Sequence, residues 1–223
     1  MKPSFDLRLY AILDPDHTGG RDPVALAVAA VRGGATMVQL RDKRYGARAV
    51  IELARRLRRA LTASGTPLIV DDRVDVALAA GAAGVHLGRE DMRPEDARAI
   101  LGAQAVIGVT VHHPREADAV DPQSADYAGI GPVFPTRSKD PGDAPIGPEG
   151  LGRLIRHLRA RLPGFPVCAI AGITRENAAA AIAAGADGVA VISAIFMAED
   201  PERAARELRA VIDEAVAQRR SVA

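Results

Sequence analysis

Eight short apolar runs recur along this chain, and a stretch with helical spacing follows each of them. The runs read as strands at Leu7–Leu13, Thr36–Arg41, Leu68–Asp71, Gly84–Leu87, Ala105–Thr110, Asp126–Gly131, Pro166–Gly172 and Gly188–Ser193. Helices are expected near residues 23–32, 47–63, 74–80, 94–102, 114–120, 151–161, 175–184 and 201–218. Asp22 and Pro23 mark the start of the first helix, and Gly33-Gly34 its stop. Strands that are apolar on both faces belong to a parallel sheet covered on both sides. Strict strand–helix alternation over 223 residues then points to an α/β fold, a single (β/α)8 TIM barrel spanning residues 1–223. An open doubly wound sheet fits less well, because no strand leads into a dinucleotide-binding fingerprint.

Composition narrows the function classes. Lys and Arg total 29 against 28 Asp and Glu, a formal net charge of +1, and no basic block interleaves with aromatics. A nucleic-acid surface is therefore not expected. No stretch approaches the roughly 20 apolar residues that cross a bilayer, and MKPSFDLRLYAIL lacks the apolar centre of a signal peptide. Neither a membrane partner nor export is expected, and the single cysteine, Cys168, fits a reducing, cytoplasmic setting. Cys168 lies in the apolar run PVCAI and reads as a buried structural thiol. Oligomeric state is left open.

Active sites of such barrels gather at the C-terminal ends of the strands. The residues that fall there share one chemistry. Past strand two come Gln39, Arg41 and Lys43, alternate positions that share a direction. Past strand three stand Asp71 and Asp72, past strand four Asp91, and at the end of strand five Thr110. A long Gly/Pro-rich loop after strand six carries Thr136, Ser138 and Lys139, and its length suits a lid. Gly172 follows strand seven, and Ile192 and Ser193 end strand eight before a helical turn. Cations and hydroxyls bind phosphate groups. Carboxylates from separate strands suit Mg²⁺, which takes oxygen ligands from few side chains plus substrate phosphates. For Asp71 or Asp72 alone the plainer reading is a cap on the next helix that pairs with Arg73. The five histidines need not be catalytic, and His86 is expected to pack within strand four.

VQLRDK, VDDRVDVALAAGAAGVHLGRED, IGVTVH, YAGIGPVFPTRSK, AIAGI and GVAVISAI occur in that order. Together they resemble the thiamine phosphate synthase family, with matches from Tyr10 to about Leu208. The resemblance implies a transferase joining 4-amino-2-methyl-5-hydroxymethylpyrimidine diphosphate to a thiazole phosphate, with release of pyrophosphate. It implies that Gln39, Arg41 and Lys43 hold the diphosphate beside Asp71, that Asp72 and Asp91 ligate Mg²⁺, and that Thr110 meets the pyrimidine. It further implies that Thr136, Ser138, Gly172, Ile192 and Ser193 bind the thiazole phosphate. Lys139, with Arg41 and Lys43, would assist departure of the diphosphate.

The chain leaves the family pattern at several positions. It has Asp71 for the usual Asn, Thr110 for Ser, Ser138 for Thr, Arg89 for Gln, and Ala171-Gly172 for Gly-Gly. The hydroxyl exchanges keep donor and acceptor capacity. Asp71 adds a negative charge near a diphosphate; a metal-side role or a pair with Arg73 is expected over one that faces and weakens the substrate, because an unpaired acid against a diphosphate is costly in a closed site. The alternatives are a thiazole phosphate tautomerase of the same fold, which keeps the phosphate site without the metal and diphosphate set, and a non-catalytic barrel that binds a phosphorylated metabolite.

Overall fold

A computed structural model describes residues 4–136, 138 and 143–222. Among them are β1 (Leu9–Leu13), β2 (Met37–Leu40), β3 (Leu68–Asp71), β4 (Gly84–Leu87), β5 (Val106–Val111), β6 (Tyr127–Ile130), β7 (Val167–Ile170) and β8 (Gly188–Val191). Each strand pairs in parallel with the next, and β8 pairs with β1 to close the ring. The expected barrel is the observed one.

Parallel neighbours need long crossovers, and helices supply them: α1 (Pro23–Arg32), α2 (Ala47–Leu61), α3 (Val74–Ala80), α4 (Pro94–Leu101), α5 (Pro114–Ala119), α6 (Gly147–Arg161), α7 (Ala178–Ala183), the single turn α8 (Ser193–Phe196) and α9 (Pro201–Val222). Asp22 accepts from the Val24 and Ala25 amides to start α1. In α2 the buried residues Val50, Ala54, Leu57 and Leu61 follow helical spacing, so one face lies on the barrel while the arginines stay wet. Burying a side chain such as Leu57 contributes about 2 kcal/mol. The longest helix, α9, packs on α1 and α7, across the β8–β1 closure.

Two apolar layers result. One fills the space between strands and helices. The other fills the barrel interior with Tyr10, Met37, Ile69, Val106, Tyr127, Cys168, Ile170 and Ala190. Several expected strands run one or two residues too long, because paired register ends at residues such as Leu40 and Ile170. The expected helix at 175–184 is shortened to α7 because the Asn177 amide bonds the Thr174 N–H and the Gly172 carbonyl, holding the preceding residues in a turn. No helix among the described residues is long and apolar enough to cross a membrane.

Candidate active site

Strand register sets the first part of the site. Leu13 is opposite Leu40, and Leu40 is opposite Val70. The next residue of each strand is therefore Asp14, Arg41 and Asp71, an acid–base–acid row on the C-terminal rim. Arg41 Nη1 donates to Asp14 Oδ2 at 2.5 Å, and Arg41 Nε lies 3.6 Å from Asp71 Oδ2. Lys43 Nζ is 3.3 Å from the same Asp71 oxygen and also pairs with Asp72. Asp72 adopts a φ of 60°, a left-handed conformation that Asp tolerates better than most residues. Its amide is tied to the His86 carbonyl at 2.8 Å.

Neither acid caps α3 or pairs with Arg73. The cap position is Arg73 itself, without a side-chain cap bond, and its guanidinium is bound to Asp75 at 2.6 Å. The carboxylates at 71 and 72 face the cations instead. Asp91 accepts the Gly88 amide at 2.7 Å through Oδ2. Arg89 turns along the rim to Glu116 at 2.6 Å.

A hydrogen-bonded line crosses the floor below. Gln39 Nε2 donates to the Tyr10 hydroxyl at 2.6 Å, and Tyr10 and Tyr127 share a bond at 3.0 Å. The Tyr127 hydroxyl lies 3.1 Å from His86 Nδ1, and His86 Nε2 lies 2.9 Å from Thr110 Oγ1. Burial pushes both phenols well above their usual value near 10, so they stay neutral donors and acceptors. Gly108 makes this line possible, because a Cβ there would run into the Tyr127 ring and the His86 imidazole. Gln39 belongs to this buried floor rather than to the charged row above it. His86 packs within its strand as expected, and it lines the cavity as well.

On the opposite wall, Ser138 Oγ donates to Ser193 Oγ at 3.1 Å, and the Ser138 amide donates to Thr136 Oγ1 at 3.2 Å. Gly172 has a φ of 68°, and a Cβ there would stand 2.5 Å from the carbonyl oxygens of Phe134 and Pro135. Only glycine fits without displacing that loop. Ala171, one residue earlier, also has a φ of 68° and bears the strain of a side chain in that region.

These groups converge on one cavity of about 850 Å³. Gln39, Arg41, Lys43, Asp71, Asp72, Asp91, Thr110, Thr136, Ser138, Gly172, Ile192 and Ser193 all line it. Lys139 lies outside the described residues. Sequence reading missed Asp14, Tyr10 and Tyr127, although strand parity carried a signal: Asp14 is two residues past Ile12, as Arg41 is past Gln39.

Among the described residues no group of three or more His, Cys, Asp or Glu side chains could hold a metal ion. Asp72 and Asp91 line the same cavity. Each has one oxygen engaged, Asp72 by Lys43 and Asp91 by the Gly88 amide, and a pair of carboxylates fits a Mg²⁺ ion whose remaining ligands are water and phosphate, which is how that ion is commonly bound.

A family profile described as thiamine monophosphate synthase matches residues 9–195. The thiamine-phosphate synthase of Agrobacterium fabrum is 48% identical over 211 residues, covering 95% of this chain and 96% of the relative. That of Xanthobacter autotrophicus is 48% identical over 213 residues, covering 95% and 98%. Among solved structures, the thiamine phosphate pyrophosphorylase from Pyrococcus furiosus superposes with a TM-score of 0.83 at 38% identity, covering 94% of this chain and 97% of that one. A tryptophan synthase from Mycobacterium tuberculosis, at 16% identity and a TM-score of 0.69, shares the fold alone. A profile that runs from the first strand to the rim of the eighth, and relatives near half identity over almost the whole length, show that this chain belongs to the thiamine monophosphate synthase family.

Proposed function

We propose that this chain is a thiamine-phosphate synthase, a transferase that joins a pyrimidine diphosphate to a thiazole phosphate in the cavity at the barrel mouth. The observation that carries the reading is the division of that cavity. Arg41, Lys43, Asp72 and Asp91 follow β2, β3 and β4 on one arc of the ring, and Thr136, Ser138 and Ser193 follow β6 and β8 on the other, all lining the cavity. One wall suits a diphosphate with a divalent cation; the other suits a monophosphate. The neutral floor between them suits a flat heteroaromatic ring beside Thr110.

In this reading Arg41 and Lys43 hold the diphosphate through charge-assisted hydrogen bonds. The bond between the pyrimidine methylene carbon and the diphosphate oxygen breaks, and its electron pair leaves with pyrophosphate. The amino group on the ring delocalises the positive charge that develops on the methylene. The thiazole nitrogen then donates its lone pair to that carbon and forms the new carbon–nitrogen bond. No protein nucleophile is needed. Asp72 and Asp91 would hold Mg²⁺, which when bound offsets charge on the departing pyrophosphate. Each cationic donor on the leaving group lowers the barrier by about 2–4 kcal/mol, by analogy with oxyanion donors.

Incubation of the purified protein with both substrates and Mg²⁺ tests the reading. Thiamine phosphate and pyrophosphate in equal amounts are expected. Absence of both, with the protein folded, would overturn it.

A further inference from the structure

One buried acid in the charged row has no part in the reaction as described. We infer that Asp14 is a positioning residue that aims the Arg41 guanidinium into the cavity, an inference that rests on the reading of Arg41 as a diphosphate ligand. Asp14 is only 3% exposed. A carboxylate so far from water must find donors, and it has them. Arg41 Nη1 donates at 2.5 Å and the Asp16 amide at 2.9 Å, and His17 Nδ1 lies 3.5 Å away. The Arg41 main-chain amide also donates to the Leu13 carbonyl at 2.9 Å. Side chain and backbone of the arginine are thus both anchored on the end of β1.

The anchor itself is stiff. Asp14 caps the short 3-10 turn Pro15–His17. Thr18 Oγ1 donates back to the Pro15 carbonyl at 2.9 Å, and Arg21 bonds the carbonyls of Thr18, Phe196 and Ala198. A carboxylate fixed in this way fixes a planar fork with it. The guanidinium has five N–H donors in one plane. Asp14 takes one on Nη1, Asp71 faces Nε, and no acceptor among the described residues meets Nη2. Asp14 and Asp71 thus engage the two different edges of the fork, and Nη2 is the corner that both edges share.

The test is a double-mutant cycle of Asp14→Asn and Arg41→Gln on the full chain, read by calorimetric binding of pyrophosphate with Mg²⁺ and by the Michaelis constant of each substrate. Asn keeps the shape and the oxygen that the Asp16 amide needs, and removes the charge that holds the guanidinium. Asp14→Asn is expected to weaken pyrophosphate binding roughly tenfold, the low end of what loss of an orienting partner costs at a binding site. The Michaelis constant for the pyrimidine diphosphate should rise with it, while that for the thiazole phosphate stays the same, a split that general loosening of the fold would not produce. In the Arg41→Gln background the same change should cost less than about twofold, because the two residues act through one contact. A full loss in that background, or unchanged binding in Asp14→Asn, overturns the inference while the reading of Arg41 stands. Unchanged binding in Arg41→Gln overturns that reading and the inference together. Asp14→Glu keeps the charge and moves it by one methylene, and so gives a second, folded variant. The same selective loss is expected there at about threefold, and none at all would overturn the proposal.

Discussion

His86 Nε2 and Thr110 Oγ1 stand 2.9 Å apart at the far end of the line that begins at Gln39. Tyr127 sits in the middle, bonded to Tyr10 on one side and to His86 on the other. Tyr127→Phe keeps the ring packed and removes both bonds at once. Stability should fall by about 1–3 kcal/mol, because two buried groups lose a partner. The Michaelis constant for the pyrimidine diphosphate should rise about fivefold, a change of about 1 kcal/mol. Urea unfolding with steady-state kinetics checks both; an unchanged Michaelis constant would reduce the line to packing.

Asp71 faces both Arg41 and Lys43, and under the proposed function it would compete with the diphosphate for them. Its Oδ2 lies 3.6 Å from Arg41 Nε and 3.3 Å from Lys43 Nζ. Asp71→Asn should remove one competing charge from each cation, leaving Arg41 on Asp14 and Lys43 on Asp72, and lower the Michaelis constant for the diphosphate substrate by about fivefold, the scale of about 1 kcal/mol for a partly wet ion pair. Mg²⁺ titrations of the two proteins separate this from a role at the metal. A shifted Mg²⁺ requirement with an unchanged Michaelis constant would assign Asp71 to the metal instead.

Removal of either proposed metal ligand should stop turnover without unfolding the barrel. Asp72→Ala and Asp91→Ala are each expected to cut the turnover number by more than the roughly 10–100-fold that losing a ligand's supporting partner costs. EDTA should abolish activity of the unaltered protein, and Mg²⁺ should restore it. Full activity in EDTA would remove the metal from the mechanism.

The two left-handed residues after β7 make opposite predictions. Gly172→Ala forces a Cβ toward two carbonyl oxygens at 2.5 Å. It should cost about 2 kcal/mol or more, since the conformation alone costs 1–2. Ala171→Gly relieves strain at a φ of 68°. It should gain up to about 1 kcal/mol once the greater freedom of glycine in the unfolded chain is set against it. Melting temperatures of the pair decide it, and shifts of the same sign would contradict the backbone argument.

Alkaline pH should weaken the fold through Cys168, whose thiol burial pushes from 9.0 up to about 12. A raised folded-state value means that the contribution is whole below pH 9 and is lost as pH climbs toward 12. The slope approaches about 1.4 kcal/mol per pH unit. The urea midpoint should fall less between pH 8 and pH 10 in Cys168→Ala than in the unaltered protein. A void left by the substitution shifts both midpoints alike, so parallel slopes would show that the thiol titrates normally.

Much of this architecture is legible from single stretches of chain. Leu68–Asp71 and Gly84–Leu87 end where their apolar runs end, and Pro23–Arg32 begins and stops at its Asp, Pro and Gly signals. The described rim residues share one cavity, because parallel strands put all their C-terminal ends on one edge. Partnership across strands is a different matter. Asp14 meets Arg41 only because Leu13 aligns with Leu40, and a strand read alone does not state its register. Arg73 illustrates the same limit locally, since its neighbours Asp71 and Asp75 were both within reach and the outward turn selected Asp75. Tyr10 and Tyr127 read as ordinary core aromatics until the ring closes and brings their hydroxyls together.

That pairing also gives the protein an optical property. The chain has no tryptophan and three tyrosines. Two of them, Tyr10 and Tyr127, stand under the cavity with hydroxyls in contact, and the third, Tyr45, is 55% exposed beyond β2. Nearly all of the buried ultraviolet emission therefore originates at the floor of the site. Under the proposed function, a heteroaromatic ring settling there would lie against Tyr10, which lines the cavity and is bonded to Tyr127 behind it, while Tyr45 supplies a solvent-exposed background. Occupancy of the cavity floor should therefore be readable in the intrinsic fluorescence of the molecule, with no label added.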